Sequence, residues 1–208
     1  MNQTTEKQYY AAWWRRILAH LIDLCVVVPI VVLQTRLGTY APRMVVPFII
    51  PVAVVVVGYF VYCHARWGRT FGKLVTGIRV VALDGKQISW RQAVLRNAGE
   101  IVFYVPYCAV FMYAYNSVAL PEYLSVPAQQ RFKIITAQWP SWSHMVSNLN
   151  AYWGWSEFVV MLFNKRRRAI HDFMGGTVVV QRQPMTRQAK DDDPYRIDPK
   201  ELKRLGKL

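Results

Sequence analysis

Charged side chains recur inside the long apolar segments of this chain. Arg16, His20 and Asp23 follow one another at spacings of four and three residues, which places them on one face of a helix. A charged side chain is costly inside a bilayer, and it commonly marks an ion pathway, a proton relay or a pair between helices. Asp23 lies deepest in its segment, so we expect it to need a partner from another helix or a water-filled cavity.

Two later apolar segments also contain acids or bases. Arg96 and Glu100 are four residues apart and can pair locally, whereas Glu157 is alone in its segment. Asp23 and Arg96 can form a tie between helices that fixes packing without conducting anything. Arginines near the ends of such segments can instead extend to the lipid head groups. The ion or proton role and the structural role both remain open for these residues.

A third cluster consists of Arg168, His171 and Asp172. Arg168 precedes the other two by three and four residues, on one face of a short helix that Gly175 can end. An imidazole beside an acid can exchange protons near neutral pH. The alternative is a basic interfacial helix in which Asp172 is an internal tie and the arginines bind anionic lipid. The residues predicted to bind head groups are Arg15, Arg166, Arg167 and Arg168.

The segments that must position these side chains are long enough to cross a membrane. Met44 to Cys63 is uncharged and almost wholly apolar, and about 20 such residues span a hydrocarbon core of about 30 Å. We therefore predict an all-α membrane protein, a four-helix transmembrane bundle with spans at residues 13–33, 44–63, 93–120 and 145–163. Residues 93–120 fit either one tilted span or a span plus an interfacial helix.

The distribution of basic residues predicts the orientation. The chain has 26 Lys and Arg against 12 Asp and Glu, and the basic residues gather before the first span, between the second and third, and after the fourth. Positive charge favours the cytoplasmic side, so we expect both termini in the cytoplasm of a bacterium, at its inner membrane. Most tryptophans flank the apolar segments, which favours a lipid interface over nucleic acid.

Short β-rich runs lie outside the spans. Residues 78–83 predict a strand that turns at Asp84-Gly85 and returns near residues 87–89, and residues 177–181 predict another strand. An isolated hairpin is marginal in water, so we expect these runs to form a small cytoplasmic β-hairpin or sheet.

The predicted organisation has three parts. Residues 1–12 form an N-terminal cytoplasmic segment, and residues 13–181 form the transmembrane domain. Residues 121–144, rich in Trp, Pro and Gln, form an external insert within it. Residues 182–208 form a charged cytoplasmic tail.

Soluble-enzyme motifs are missing from the sequence. There is no nucleophile elbow, zinc-protease motif or dinucleotide fingerprint. Cys25, Cys63 and Cys108 are isolated in apolar segments without the spacing of a metal site. We therefore predict no enzyme activity, no cofactor and no metal.

Four separated motifs together resemble the RDD family of membrane proteins. They are RILAHLID at 16–23, TFGK at 70–73 leading into GIRVV at 77–81, LRN at 95–97, and HD at 171–172 followed by GTVVV at 176–180. The resemblance covers roughly residues 13–181. It implies that Arg16, Asp23 and Asp172 are the arginine and two aspartates of the family name. Some members have been linked to sodium/proton antiport, and the domain also occurs as a membrane scaffold.

These features leave two functions open. The first is an accessory or scaffold subunit of a larger membrane complex, with other membrane subunits or further copies of the chain as partners, and anionic lipid around it. The alternative is a secondary transporter that exchanges a monovalent cation for protons through Asp23, because a carboxylate can hold either in turn. The sequence favours the scaffold slightly, since no residue demands transport.

Overall fold

The computed structural model describes residues 10–164 and 166–181. Contacts divide these residues into two compact units. The first unit contains residues 10–24, 59–99 and 154–181 except Lys165, and the second contains residues 25–58 and 100–153. The predicted tail at 182–208 and most of the predicted N-terminal segment lie outside the described residues.

The described chain is mostly helical, with one small sheet. The helices are α1 (Trp13–Tyr40), α2 (Pro42–Trp67), α3 (Phe71–Val75), α4 (Trp90–Arg96), α5 (Ala98–Ser117), α6 (Leu120–Ser125), α7 (Ala128–Ala137), α8 (Ser143–Phe163) and α9 (Ile170–Met174). The strands are β1 (Ile78–Ala82) and β2 (Thr177–Gln181).

Three of the described helices are long and apolar enough to cross a bilayer. The mean hydropathy of their best windows is 2.3 for α1, 2.6 for α2 and 1.2 for α5. Many of their large apolar side chains, above all those of α1, are exposed on the protein, as a lipid environment requires. Helix α8 has 21 residues but is more polar, since it contains Asn148, Asn150 and Glu157.

The apolar segment at 93–120 is not one continuous helix. Helix α4 ends at Arg96 and α5 begins at Ala98. Asn97 lies between them with φ −97° and ψ 7°, and its side-chain amide donates to the carbonyl of Ala93 at 2.7 Å. At its other end, α4 begins with a capping box between Ser89 and Gln92. The segment is therefore a short capped helix followed by a separate helix of spanning length.

The sheet lies in the first unit and pairs strands from distant parts of the chain. Strands β1 and β2 are antiparallel, with Ile78 opposite Gln181 and Ala82 opposite Thr177. The amide of Ala11 also donates to the carbonyl of Val179 at 3.0 Å. β-Branched side chains of both strands are fully buried in the core of this unit.

The return strand predicted near residues 87–89 is wrong. The chain does turn at Asp84-Gly85, where the amide of Ala82 donates to the carbonyl of Lys86 at 2.9 Å. Beyond the turn, the Gln87 side chain donates to two carbonyls at the end of α2, and Ser89 caps α4. These contacts end the pairing, so β1 takes its partner from the C-terminal strand.

The predicted insert is helical and belongs to the core of the second unit. Tyr123 of α6 is fully buried, and its hydroxyl donates to the carbonyls of Gly38 and Thr39 at 3.0 and 2.9 Å. Arg131 of α7 donates to the same Thr39 carbonyl at 3.2 Å and lies over the Tyr123 ring. These bonds satisfy carbonyls at the end of α1 that have no partner within the helix.

Candidate functional site

Asp172 is the centre of a buried ion-pair cluster in the first unit. It lies in the first turn of α9, where its carboxylate accepts from the amide of Ala169 at 3.0 Å. The same carboxylate accepts from Nη1 of Arg16 at 2.7 Å and from Nη1 of Arg96. Its exposed fraction is 0%. Burial alone would raise the pKa of Asp172, but the two guanidinium groups outweigh it and hold this pKa well below its usual range.

Arg96 connects that cluster to the sheet and to His171. It is 4% exposed, and its Nη1 also donates to Oγ1 of Thr177 at 2.9 Å, on the first residue of β2. Its Nη2 lies 2.7 Å from Nε2 of His171. Glu100, predicted as its local partner, is exposed. Arg96 therefore joins α4 to α9 and β2.

His171 extends the cluster to Glu157 of α8. Its Nδ1 contacts Oε2 of Glu157, and its backbone amide donates to Oε1 of the same residue at 2.9 Å. Glu157 thus orients the imidazole from one side while Arg96 contacts it from the other. The result is a connected series of titratable groups from Glu157 through His171 and Arg96 to Asp172.

The arginines predicted to bind lipid head groups differ in their surroundings. Arg168 is 7% exposed; it donates to the carbonyls of Thr177 and Asp172 and lies over the ring of Phe173 at 4.0 Å. Arg168 is therefore an internal contact of the cluster. Arg15 is half-buried and donates to the carbonyl of Thr76 at 3.2 Å. Arg166 and Arg167 are also half-buried.

Asp23 belongs to a second buried group in the same unit. It is 1% exposed, and its carboxylate accepts from Oγ1 of Thr70 at 2.5 Å, the amide of Gly72 at 2.8 Å and the hydroxyl of Tyr59 at 2.9 Å. The Tyr59 hydroxyl accepts in turn from the amide of Phe71 at 3.0 Å. Together these side chains satisfy amides in the first turn of α3, and a carboxylate is favourable at that end of a helix.

A side chain at position 72 would not fit this arrangement. A Cβ atom on Gly72 would lie 1.9 Å from the carbonyl oxygen of Ala19 and 3.0 Å from Cγ of Asp23. The glycine therefore lets the backbone of α3 approach α1 closely enough for the Asp23 bonds.

The predicted polar stripe on α1 is only partly formed. Arg16 and Asp23 face the interior of the unit, but His20 is exposed. The predicted tie between Asp23 and Arg96 is not formed either, because Asp23 binds hydroxyl and amide donors while Arg96 binds Asp172.

Several residues of these clusters were missed by the sequence reasoning. Tyr59 is an isolated polar residue in an apolar run, and nothing in its spacing marks it. Thr177 lies in the GTVVV motif, but the sequence reasoning gave it no role. The charge of Lys73 interacts with the charges of both Asp23 and Asp172. Burial, with a smaller effect of the Arg96 charge, lowers the pKa of Lys73 to about 8. His64 is 3% exposed, and its ring nitrogens have no hydrogen-bond partner within the described part of the chain. Thr70, Gly72 and Lys73 could have been recognised from the sequence, because all three lie in one family motif, TFGK at 70–73.

No group of three or more potential metal ligands occurs among the residues that the structure describes. Cys25 is exposed, whereas Cys63 and Cys108 are buried, and all three are free thiols.

The long apolar helices and the buried charge clusters at their ends define a membrane protein. The model of the RDD family matches residues 10–176, most of the chain. The chain belongs to the RDD family. No curated protein and no solved structure is significantly similar to it.

Proposed function

We propose that the chain is an accessory or scaffold subunit of a larger membrane complex. The observation that carries the proposal is the state of Asp23, the residue best placed for ion exchange. Its carboxylate is buried and accepts from three protein donors that hold α3 against α1. A metal ion or proton could replace these donors only by breaking the contact between the helices, so the geometry favours a structural role for this residue.

Asp172 supports the same proposal. Its two guanidinium partners come from α1 and α4, so one carboxylate joins three helices. Buried ion pairs often fix packing rather than add net stability. An ion pair that fixes three helices relative to one another is consistent with a protein that presents a defined surface to other subunits.

The proposal includes a finer topology. Helix α8 is a fourth span, because it has the 21 residues that a bilayer requires and its polar residues can face other helices. The distribution of lysine and arginine then directs both termini to the cytoplasm of a bacterium, with the insert outside. Anionic lipid surrounds the basic side.

The insert is the proposed docking region for membrane partners or further copies of the chain. Its helices expose apolar side chains, with Leu124 at 49% and Phe132 at 43%. Exposed apolar groups on an otherwise packed element are typical of interaction surfaces. The chain itself is proposed to have no enzyme activity and no nucleic-acid partner.

The test is purification of the tagged chain in mild detergent at native expression. We expect a second membrane protein, or a fixed number of copies of the chain, to remain bound through gel filtration. The substitutions Leu124→Ser and Phe132→Ser should release the partner, whereas Gln129→Ser and Lys133→Ser, on exposed polar positions of α7, should not. A wild-type chain that purifies only as a monomer would contradict the proposal.

The alternative is exchange of a monovalent cation for protons through Asp23. The connected series of titratable groups around His171 favours it, because such series can pass protons. In proteoliposomes, a proton gradient would drive sodium movement that Asp23→Asn abolishes and that Asp84→Asn, at an exposed acid outside the long helices, leaves intact. Sodium flux of this kind would overturn the scaffold proposal, and flux unchanged in Asp23→Asn would remove Asp23 from transport.

A further inference from the structure

The side chains that helix α3 exposes are all apolar. They are Phe71 at 53%, Leu74 at 50% and Val75 at 59%, and their spacing places them on one face of the helix. The other two residues, Gly72 and Lys73, are buried and half-buried. A helix that faces water places polar side chains on its exposed face. The exposed face of α3 therefore requires an apolar environment from outside the unit.

Helix α4 has a similar exposed face. Its buried residues are Ala93 and Arg96. On the other side of the helix, Trp90 is 57% exposed, Val94 45% and Leu95 39%. Trp90 and Val94 are four residues apart and form one row along the helix. Both short helices of this unit thus present large apolar side chains outward.

The last turns of α2 fix the depth of α3 and α4 relative to that candidate span. The Tyr59 hydroxyl accepts from the amide of Phe71, at the start of α3, at 3.0 Å. One turn later, the Tyr62 ring packs against the ring of Trp90, the first residue of α4, with centroids 5.9 Å apart. The uncharged apolar run of α2 ends at Cys63. Both short helices therefore begin level with the end of the span, not beyond it.

Helix α1 gives the same depth for α3. Gly72 lies so close to α1 that a Cβ atom on it would be 1.9 Å from the carbonyl oxygen of Ala19. Near Ala19 in the sequence, Leu18 and Leu21 are 43% and 53% exposed, and they belong to a second candidate span. The exposed apolar surface of α1 is thus level with that of α3.

Aromatic and basic side chains indicate which part of the bilayer fits this surface. Trp67, the last residue of α2, packs against the Tyr62 ring at 5.4 Å, on the same ring that contacts Trp90. Tryptophan and tyrosine are enriched at the level of the lipid head groups. Arg66 and Arg91, the sequence neighbours of these tryptophans, are exposed and can contact anionic lipid. This combination matches the boundary between head groups and acyl chains.

We propose that α3 and α4 are interfacial helices whose exposed apolar faces insert into the lipid bilayer, between head groups and acyl chains, in the leaflet where α2 ends. The rings of Tyr62, Trp67 and Trp90 lie at the level of the head groups, and Arg66 and Arg91 contact their phosphates. This surface is separate from the insert proposed above as a docking region, so either proposal can fail without the other.

Spin labels in vesicles test the proposal. Each label is carried by a single cysteine in a chain whose three native cysteines are replaced by alanine. Leu74→Cys and Val94→Cys place it on the proposed surface, and Val75→Cys and Leu95→Cys give a second position on each helix. Val54→Cys, at a 64% exposed position in the middle of the apolar run of α2, is the acyl-chain control, and Lys86→Cys, at an 82% exposed side chain, is the aqueous control.

The measurement is the collision rate of each label with oxygen, which concentrates in the bilayer, and with a neutral nickel chelate, which stays in water. The vesicles contain phosphatidylcholine and phosphatidylglycerol. We expect the ratio of oxygen to nickel collisions on α3 and α4 to lie above the ratio at position 86 and below the ratio at position 54. A ratio equal to that at position 86 would show a surface that faces water, and few collisions with either reagent would show a protein contact; each result would overturn the proposal. A ratio as high as that at position 54 would place the helices among the acyl chains and contradict their interfacial depth.

Discussion

Replacing Asp172 by asparagine should destabilise the first unit strongly. The substitution keeps the shape of the side chain but removes its charge, and it leaves the guanidinium groups of Arg16 and Arg96 buried without a counter-charge; these side chains are 10% and 4% exposed. Removing one partner of a buried ion pair typically costs about 3–5 kcal/mol. For a chain of this size each kcal/mol lowers the Tm by about 2–4 °C, so we expect a decrease of about 6–20 °C.

The assay is the fraction of chain that elutes as a folded peak from gel filtration after heating in detergent. Asp84→Asn is the matched control, because Asp84 has an exposed side chain and pairs with Lys86 across 3.6 Å at the surface. A surface pair of this kind contributes at most about 1 kcal/mol, so the control should stay close to the wild type. An Asp172→Asn variant with a Tm within about 2 °C of the wild type would refute the view that this carboxylate holds the unit together.

Three further predictions follow from the same two clusters. The folded-state pKa of Asp172 is depressed, so its contribution to the free energy of unfolding is complete above the unfolded pKa of about 3.9 and is lost as the pH falls below that value. When the pH is lowered, the Tm of Asp172→Asn should therefore decrease less than the Tm of the wild type. Gly72→Ala should lower the Tm by several degrees, since its Cβ would clash with the Ala19 carbonyl, whereas Gly154→Ala, where nothing lies near, should not. Lys73, with a pKa of about 8, should react with an amine acylating reagent at pH 7 before exposed Lys86 does, as peptide mass spectrometry can measure; modification of Lys86 first would contradict this.

The sequence predicted the apolar helices and both strands well, because these depend on local patterns. A run of uncharged apolar residues such as 44–63 has few alternatives to a spanning helix. Likewise, the β-branched runs at 78–82 and 177–181 are strands in the structure. The pairing could not be predicted in the same way. A turn at Asp84-Gly85 favours a hairpin locally, but buried contacts between distant segments decide the pairing.

The buried clusters around Asp23 and Asp172 show that local sequence patterns do not identify distant partners. Helical spacing predicted that Arg16, His20 and Asp23 share a face, yet His20 is exposed, since a helical face covers a wide arc and only part of it is buried. Spacing also could not identify the partners of Arg16 and Asp23, which lie 36 to 156 positions away along the chain. Arg168 was predicted to bind lipid because it follows other basic residues, but the carbonyls of Thr177 and Asp172 bind it internally.

The three residues that the resemblance assigns to the family name, Arg16, Asp23 and Asp172, make two separate sets of buried contacts, and both sets involve α1. Arg16 and Asp172 form one ion pair that brings α9 to α1. Asp23, seven residues further along α1, caps α3 through Thr70 and Gly72. Because both sets of contacts involve the first part of α1, this part of the helix is the element against which α3 and α9 are held. In this chain these charges hold the first unit together, and their presence is thus weak evidence for transport.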